Sequence, residues 1–492
     1  MKRKTPLHKP VIVLAIDTLM SYPLEVVAQT GKAPALQFLM ENGQFIPNMV
    51  TSFPTMSVTI DSSLLTGTYA DQHRVPGLNW YDNTQKNVVS YGTGFRESLR
   101  LGMKRVINNM LKRLNNEDLS KDVSTIYEEL AKLGIPSASI NSFVYRGHTS
   151  QQLRIPHPFR FLSPFRDGKW RTNTPAIFSL GTFSKLRRWG FATNIAAGNN
   201  KYATHELRHL IKNDKLPSFT FCMLHDLDFR IHFKGPMDLK GLVKVDRQIQ
   251  KLLNTYPSWD EALKRNVWMV LGDNGHAPMG SNYRKFVIDL RKVLKSFRIA
   301  RLQGVRKKDE LVFCVNQRMA YIYLLKKELS FSAIVERLQQ DSRIDLIAWK
   351  DEEYINVVSG MKQGSLRFAK GEAYADMYEQ MWTIEGETEL LDLRFSKEGV
   401  IFYGNYPDAL ARLYGALHSH SGRFIVVNAK PGCEFKAQST PFHLAGAAHG
   451  SLHRQESLVP LIIAGTNETP TYSRMIDLKQ FILNLIAPES TA

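Results

Sequence analysis

The sequence predicts an α/β fold, and three observations carry that prediction. Six apolar residues, mostly β-branched, run from Val11 to Ile16 and end on a carboxylate, Asp17. The same arrangement recurs far downstream in Asn266-Val-Trp-Met-Val-Leu-Gly-Asp273. Segments with helical spacing lie between and beyond these runs. Continuous apolar runs of this length suit strands buried on both faces. In an open α/β sheet, chemistry gathers beyond the carboxyl ends of the strands. Two such carboxylates therefore point to one polar site on one sheet edge. The plain alternative is a pair of ordinary turn aspartates.

The elements follow in chain order. Ala33 to Met40 reads as a short helix, with Pro34 at its start and Asn42-Gly43 beyond its end. A hydroxyl-rich stretch, Ser52-Phe-Pro-Thr-Met-Ser-Val-Thr59, precedes a helix over Ile60–Leu65 that closes at Thr66-Gly67. Thr55, Ser57 and Thr59 compete there for the helix-capping role. Residues 68–95 read as irregular, and 96–135 carry helical spacing. A strand is expected over 137–140, then a loop-rich stretch over 145–200 with a short helix near 182–189. The apolar pattern returns as a strand at 218–224, followed by helices over 239–254 and 286–302.

From about 307 the texture changes to short strands at 310–315, 319–325 and 344–349, with a helix near 331–339. Later come a helix over 408–416, strands at 423–427 and 458–464, and a last helix over 475–487. Pro460 demotes the 458–464 run from an ideal central strand. The expected organisation is a main core over 1–306, a smaller α+β lobe over 307–400, and a return to the core over 401–492.

Composition bounds the function. With 492 residues, 43% hydrophobic and 22% charged, the chain can bury a large core and is not disordered. Its three cysteines, Cys222, Cys314 and Cys433, have neither metal-ligand spacing nor a disulfide pattern. The formal charge of +18 favours anionic surroundings: a phosphorylated substrate or an acidic surface, with nucleic acid as an alternative. No specific protein partner is implied. Asp17 interrupts the N-terminal apolar run too early for a signal peptide, and no transmembrane run occurs. Cytoplasm is the expected location, with non-classical export or surface association as the alternative.

Asp228 and His232 stand four residues apart, so a helical backbone would turn both to one side. Alone, such a pair is most often structural. With Asp17, Asp273 and His449 it makes a mixed carboxylate and imidazole set that suits a divalent cation. Ser57 is a candidate hydroxyl for attack on phosphorus, with helix capping as its plain alternative and a serine-histidine hydrolase as a competing chemistry. A Gly-x-Ser-x-Gly elbow, a phosphate-binding P-loop and a dinucleotide fingerprint are all missing from the sequence.

These pieces resemble the alkaline phosphatase superfamily, in its type I phosphodiesterase/nucleotide pyrophosphatase branch. The resemblance rests on Ala15-Ile-Asp17, Phe53-Pro-Thr-Met-Ser57, Leu65-Thr-Gly67, Asp228-x-x-x-His232-x-x-Gly-Pro236, Gly272-Asp-Asn-Gly275 and Ala448-His-Gly450, with Asn79-Trp-Tyr-Asp82 as a weaker match. It implies an alkaline phosphatase-like central sheet and two divalent metal ions. Asp228, His232 and His449 match the ligands of one ion and Asp17 and Asp273 those of the other, with Asn274, or His276 by rearrangement, as the candidate to complete the second set. Zinc is the expected metal, with manganese, magnesium or calcium as alternatives at the Asp17/Asp273 site. Ser57 matches the nucleophile, Asn79 the phosphate contact, and Thr55 and His276 fall in phosphate-contacting or supporting positions.

The chain departs from the family pattern twice. Asn274 stands where the family has histidine, and Val58-Thr-Ile60 stands where it has Phe-Pro-Asn. The expected reaction is hydrolysis of a phosphodiester or nucleotide pyrophosphate through a covalent phosphoserine. The alternatives are a phosphomonoesterase and a catalytically inactive, metal-containing protein that binds an anionic surface.

Overall fold

In the computed structural model, which describes residues 8–155, 165, 168–186 and 198–488, Val11–Ile16 is the central strand of a seven-stranded sheet. The strand order is Gly43–Val50, Leu458–Ala464, Val267–Gly272, Val11–Ile16, Phe219–Leu224, Ser137–Ile140, Ile177–Ser179. The last five run parallel to one another. Leu458–Ala464 runs antiparallel to Val267–Gly272, and Gly43–Val50 pairs antiparallel on its far side.

Both faces of the sheet are covered, which is why the strands read as unbroken apolar runs. Val11, Val13 and Ala15 pack with the helices Ser57–Thr66, Ile126–Lys132 and Leu478–Ile486. Ile12, Leu14 and Ile16 pack on the opposite face with Ser21–Gln29, Pro34–Glu41, Asn200–Lys212 and Leu239–Leu253. Each fully buried branched side chain contributes about 1.5–3 kcal/mol to folding. The outcome is the α/β architecture that the apolar runs predict.

A second, antiparallel sheet forms the smaller α+β lobe. Its order is Leu311–Asn316, Met319–Leu324, Phe424–Ala429, Ile344–Asp351, Tyr354–Val358, Leu366–Ala375, Met381–Gly386. The third strand comes from beyond residue 400. Phe331–Gln339 backs one face and Ala409–Leu417 the other. The first hairpin turns at Gln317 and Arg318, with Gln317 in the left-handed region at φ +56°. That turn reaches across to the end of the first sheet.

Several local expectations are corrected. The helix expected at 60–65 starts earlier, as Ser57–Thr66, and its N-cap is Met56, which has no capping side chain. The segment 68–95 contains a hairpin of Asn79–Asp82 and Asn87–Ser90. The helix expected over 286–302 is only one turn, Leu290–Val293, because Val287–Asp289 pairs in parallel with Glu434–Lys436. A β-branched Val-Ile pair with a ladder partner outweighs the helical spacing around it. Within 182–189, the described residues form a turn closed by a Leu180–Ser184 bridge, and 187–189 lie outside the described residues. Pro460 sits where the ladder with Gly43–Val50 shifts register and past the residues paired with Val267–Gly272, so its missing N–H breaks no regular bond.

Candidate metal centre

Strand register builds the floor of the site. Ile16 lies opposite Gly272 on one side and Leu224 on the other. The next residue of each strand is therefore Asp273, Asp17 or His225, side by side at the carboxyl edge. The backbone then turns sharply at Thr18, at φ +66°. Thr18 N–H donates to Asp273 Oδ1 at 2.9 Å, and Asn274 N–H donates to the same oxygen at 2.8 Å. Asp273 Oδ2 is buried without a partner. His225 places Nδ1 3.2 Å from Asp17 Oδ2 and Nε2 2.9 Å from the Asn141 carbonyl.

A second group lies beside it. Helix Asp226–Lys234 turns Asp228 and His232 to one side, with His232 Nε2 3.4 Å from Asp228 Oδ1. His276 Nε2 lies 3.4 Å from that oxygen and His449 Nε2 4.0 Å. Ligand atoms of Asp228, His232, His276 and His449 all fall within 4.8 Å of one another, a cluster able to coordinate a metal ion. The ring tautomers follow from the backbone. His232 Nδ1–H donates to Ala447 O at 2.8 Å and His449 Nδ1–H donates to Thr55 O, so both rings present a bare Nε2. Gln317, from the turn of the second sheet, points its amide nitrogen at both, 3.0 Å from His449 and 3.4 Å from His232. His443 stacks on His232 with ring centroids 4.1 Å apart and is held by Glu434.

The remaining predicted residues are placed as follows. Ser57 opens its helix and its hydroxyl acts on Asp273, lowering that carboxyl's pKa. Thr55 accepts from Gly450 N–H through its hydroxyl and from His449 through its carbonyl, so it fixes the His449 loop. Gly450 is required there: at φ +116° a Cβ would lie 2.3 Å from the Asn316 carbonyl. Asn274 accepts from Thr18 Oγ1 at 3.1 Å and sets its amide nitrogen 3.0 Å from His449 Nδ1, between the two groups. Asn79 is not brought to the cluster by any described contact. Its amide donates to Glu97 at 3.2 Å, Val315 O at 3.1 Å and Thr93 at 3.4 Å.

Thr18, Asp61, His225 and Gln317 belong to the site but were not selected from the sequence. His225 alone carried a signal, as the residue beyond an apolar strand. The other three depend on a turn, a helix face and a distant hairpin.

The electrostatics show a site short of positive charge. Burial pushes Asp17 well above the usual carboxylate range, with Asp273 and Asp228 adding to the rise. Burial lifts Asp273 to about 6. Asp61, one turn beyond Ser57, rises to about 7 through burial and then Asp273. Burial lowers His449 to about 4 and His276 well below its ordinary value. Thr18 has one hydroxyl proton for three acceptors: Asp228 Oδ1 at 3.0 Å, Asn274 Oδ1 at 3.1 Å and Asp17 Oδ1 at 3.4 Å. Neither ring nitrogen of buried His276 has a hydrogen-bond partner. Excess acceptors, an orphaned carboxylate oxygen and neutral imidazoles are the donor set a divalent cation requires.

The type I phosphodiesterase / nucleotide pyrophosphatase family matches residues 11–385. No curated protein matches the sequence. Among solved structures, murine ectonucleotide pyrophosphatase / phosphodiesterase 5 superposes with a TM-score of 0.56 at 14% identity, covering 97% of this chain and 95% of that one. The human protein of the same name gives 0.57 at 12%, covering 98% and 96%. Phosphonoacetate hydrolase from Sinorhizobium meliloti 1021, in complex with phosphonoformate, gives 0.56 at 14%, covering 99% and 98%. At these identities the likeness establishes the fold. The cytoplasmic expectation is overturned, because the two mammalian proteins are named as ectoenzymes.

Proposed function

This chain belongs to the type I phosphodiesterase / nucleotide pyrophosphatase family and is a metal-dependent hydrolase of phosphate esters; from that premise we propose that it cleaves a phosphodiester or nucleotide pyrophosphate through a phosphoserine at Ser57. The observation that carries the reading is the placement of Ser57. It stands at the first residue of a ten-residue helix, one past the cap position, and beside Asp273, whose carboxyl pKa it lowers. The free N–H groups of that first turn favour a negative phosphoryl group.

Two divalent ions fit the donors, one held by Asp228, His232, His276 and His449 and one beside Asp17 and Asp273. Three imidazoles and a carboxylate favour zinc at the first. When bound, such ions polarise phosphoryl oxygens and lower the pKa of a nearby hydroxyl. Ser57 Oγ attacks phosphorus, the bond to the leaving oxygen breaks, and a phosphoserine ester forms. Water then cleaves the Oγ–P bond, releasing a phosphomonoester and restoring Ser57.

A diester is favoured over a monoester because a monoester brings one more negative charge. Among the described residues, no Lys or Arg side chain forms an ion pair or hydrogen bond with Asp17, Ser57, Asp228, His232, Asp273, His276 or His449. Surface charge supports an anionic partner as well. Lys240, Lys244, Arg247 and Lys251 line one exposed stripe of helix Leu239–Leu253.

The test uses bis(p-nitrophenyl) phosphate and p-nitrophenyl phosphate with zinc-loaded protein. Ser57→Ala should lose at least ~10³-fold of turnover. Acid-quenched wild type, after reaction with the diester, should carry a p-nitrophenylphosphoryl group on the peptide containing Ser57. Turnover surviving in Ser57→Ala rejects the mechanism, and preference for the monoester rejects the substrate class.

A further inference from the structure

We propose that His225 is the imidazole ligand of the cation site beside Asp17 and Asp273, in the position that Asn274 leaves without one. The inference rests on the reading that this chain holds a second cation there.

Three independent features converge on His225. The first is register. Three adjacent parallel strands end level with one another at Leu224, Ile16 and Gly272, so His225, Asp17 and Asp273 are the three consecutive side chains along the edge. Neighbouring strands lie ~4.8 Å apart, a spacing that one ion can bridge with ligand bonds of about 2 Å from each side.

The second is how the ring is held. Nε2–H donates to the Asn141 carbonyl at 2.9 Å, which leaves Nδ1 as the bare nitrogen, and Nδ1 faces Asp17 Oδ2 at 3.2 Å. His232 has the same arrangement with its nitrogens exchanged: one is anchored on the Ala447 carbonyl and the other faces Asp228 Oδ1 at 3.4 Å. A backbone carbonyl on the far nitrogen and a carboxylate oxygen beside the near one are the setting of a metal-ligating imidazole. The Asn141 carbonyl is itself a fixed support. Asn141 takes φ +66° and its amide is tied to Gly198 O at 2.6 Å and Met223 O at 3.3 Å.

The third is the vacancy in hydrogen bonding across from the ring. Asp273 is 1% exposed, its Oδ1 takes two backbone N–H bonds, and its Oδ2 has none. Asn274 does not complete this site, because its side chain is spent on Thr18 and faces His449. His276 does not either, because its ring lies in the other group, with centroids 4.5 Å from His449 and 4.6 Å from His232. Of the described imidazoles, His225 is the one in contact with Asp17. The departure from the family at Asn274 is thereby compensated from a different strand.

The decisive measurement is bound metal per chain by mass spectrometry, after dialysis of the zinc-loaded full-length protein. Two ions are expected in wild type and in Asn274→Ala, and one in His225→Ala. His232→Ala should also keep one, having lost the ion of the other group. Two ions in His225→Ala overturn the assignment of His225 and leave the two-cation reading standing. One ion in wild type overturns the two-cation reading and the assignment with it. Should His225→Ala fail to fold, wild-type crystals soaked in zinc decide the matter by anomalous scattering. A peak about 2.1 Å from His225 Nδ1 is expected, and a peak bound by Asp17 and Asp273 but out of bonding distance of His225 Nδ1 rejects the proposal.

Discussion

At the scale of single residues, the buried carboxylates make the sharpest predictions. Asp61 ionises near 7 in the folded chain, against 3.8 for the free side chain. A carboxyl whose pKa is raised on folding destabilises the protein above its unfolded pKa, and the loss grows until the folded pKa is passed. Asp61→Asn should therefore raise the melting temperature of metal-free protein at pH 8, by a free energy with an upper limit of about 4 kcal/mol, and give no gain at pH 4. An equal effect at both pH values would show that Asp61 is not held protonated. Metal affinity should follow Asp273. Below about 6 a proton occupies that carboxyl, so titration calorimetry should show zinc affinity falling as pH drops from 7 to 5, with protons released on binding. The imidazoles run the opposite way and impose little over that range, because burial keeps His449 neutral down to about 4. Residues on a strand end or at helical spacing, such as Asp17, Asp273, Asp228 and His232, were legible in the sequence because one local rule places each of them. Gln317 was not, since a remote hairpin brings it in, and His276, a supporting candidate in the sequence, joins the imidazole cluster only through the folding of a loop.

At the scale of elements, the same distinction holds. Strands buried on both faces announce themselves, as Val11–Ile16 and Val267–Gly272 do, because six consecutive positions must all be apolar. Short edge pairings do not. Val287–Asp289 needs Glu434–Lys436 as its partner, almost 150 residues away, and the hairpin Asn79–Asp82 with Asn87–Ser90 hides in polar sequence. The start of Ser57–Thr66 was missed because no side chain caps it. That same lack of a cap leaves Ser57 free for chemistry. The central strand should tolerate little loss of volume. Leu14 is fully buried between the helical layer and its neighbours. Leu14→Ala should cost about 2–5 kcal/mol in denaturant unfolding while leaving the Asp17 edge in place. A cost under about 1 kcal/mol would mean that the layer collapses onto the gap.

At the scale of the whole molecule, the site is a junction. Its side chains come from the carboxyl edge of the first sheet, from helix Asp226–Lys234, from the His449 loop and from the Gln317 turn of the second sheet. The two sheets are also tied beneath it by the buried Arg318–Glu456 ion pair and by Arg318 N–H donating to the His449 carbonyl at 3.0 Å. A cation bound by the imidazole cluster joins segments separated by more than 200 residues, Asp228 to His449, and exists only in the folded chain. It therefore stabilises by mass action, about 4 kcal/mol when free metal is a thousandfold above its dissociation constant. Chelation should lower the melting temperature of wild type, and re-added zinc should restore it. Ser57→Ala should show the same fall, because it loses chemistry and not the imidazole cluster. His232→Ala/His449→Ala should start lower and respond little to chelator. A wild-type melting curve indifferent to chelator, in protein shown to contain zinc, would mean that the cation does not hold the two sheets together, and the junction would then rest on direct contacts such as the Arg318–Glu456 pair and the Gln317–His449 bond.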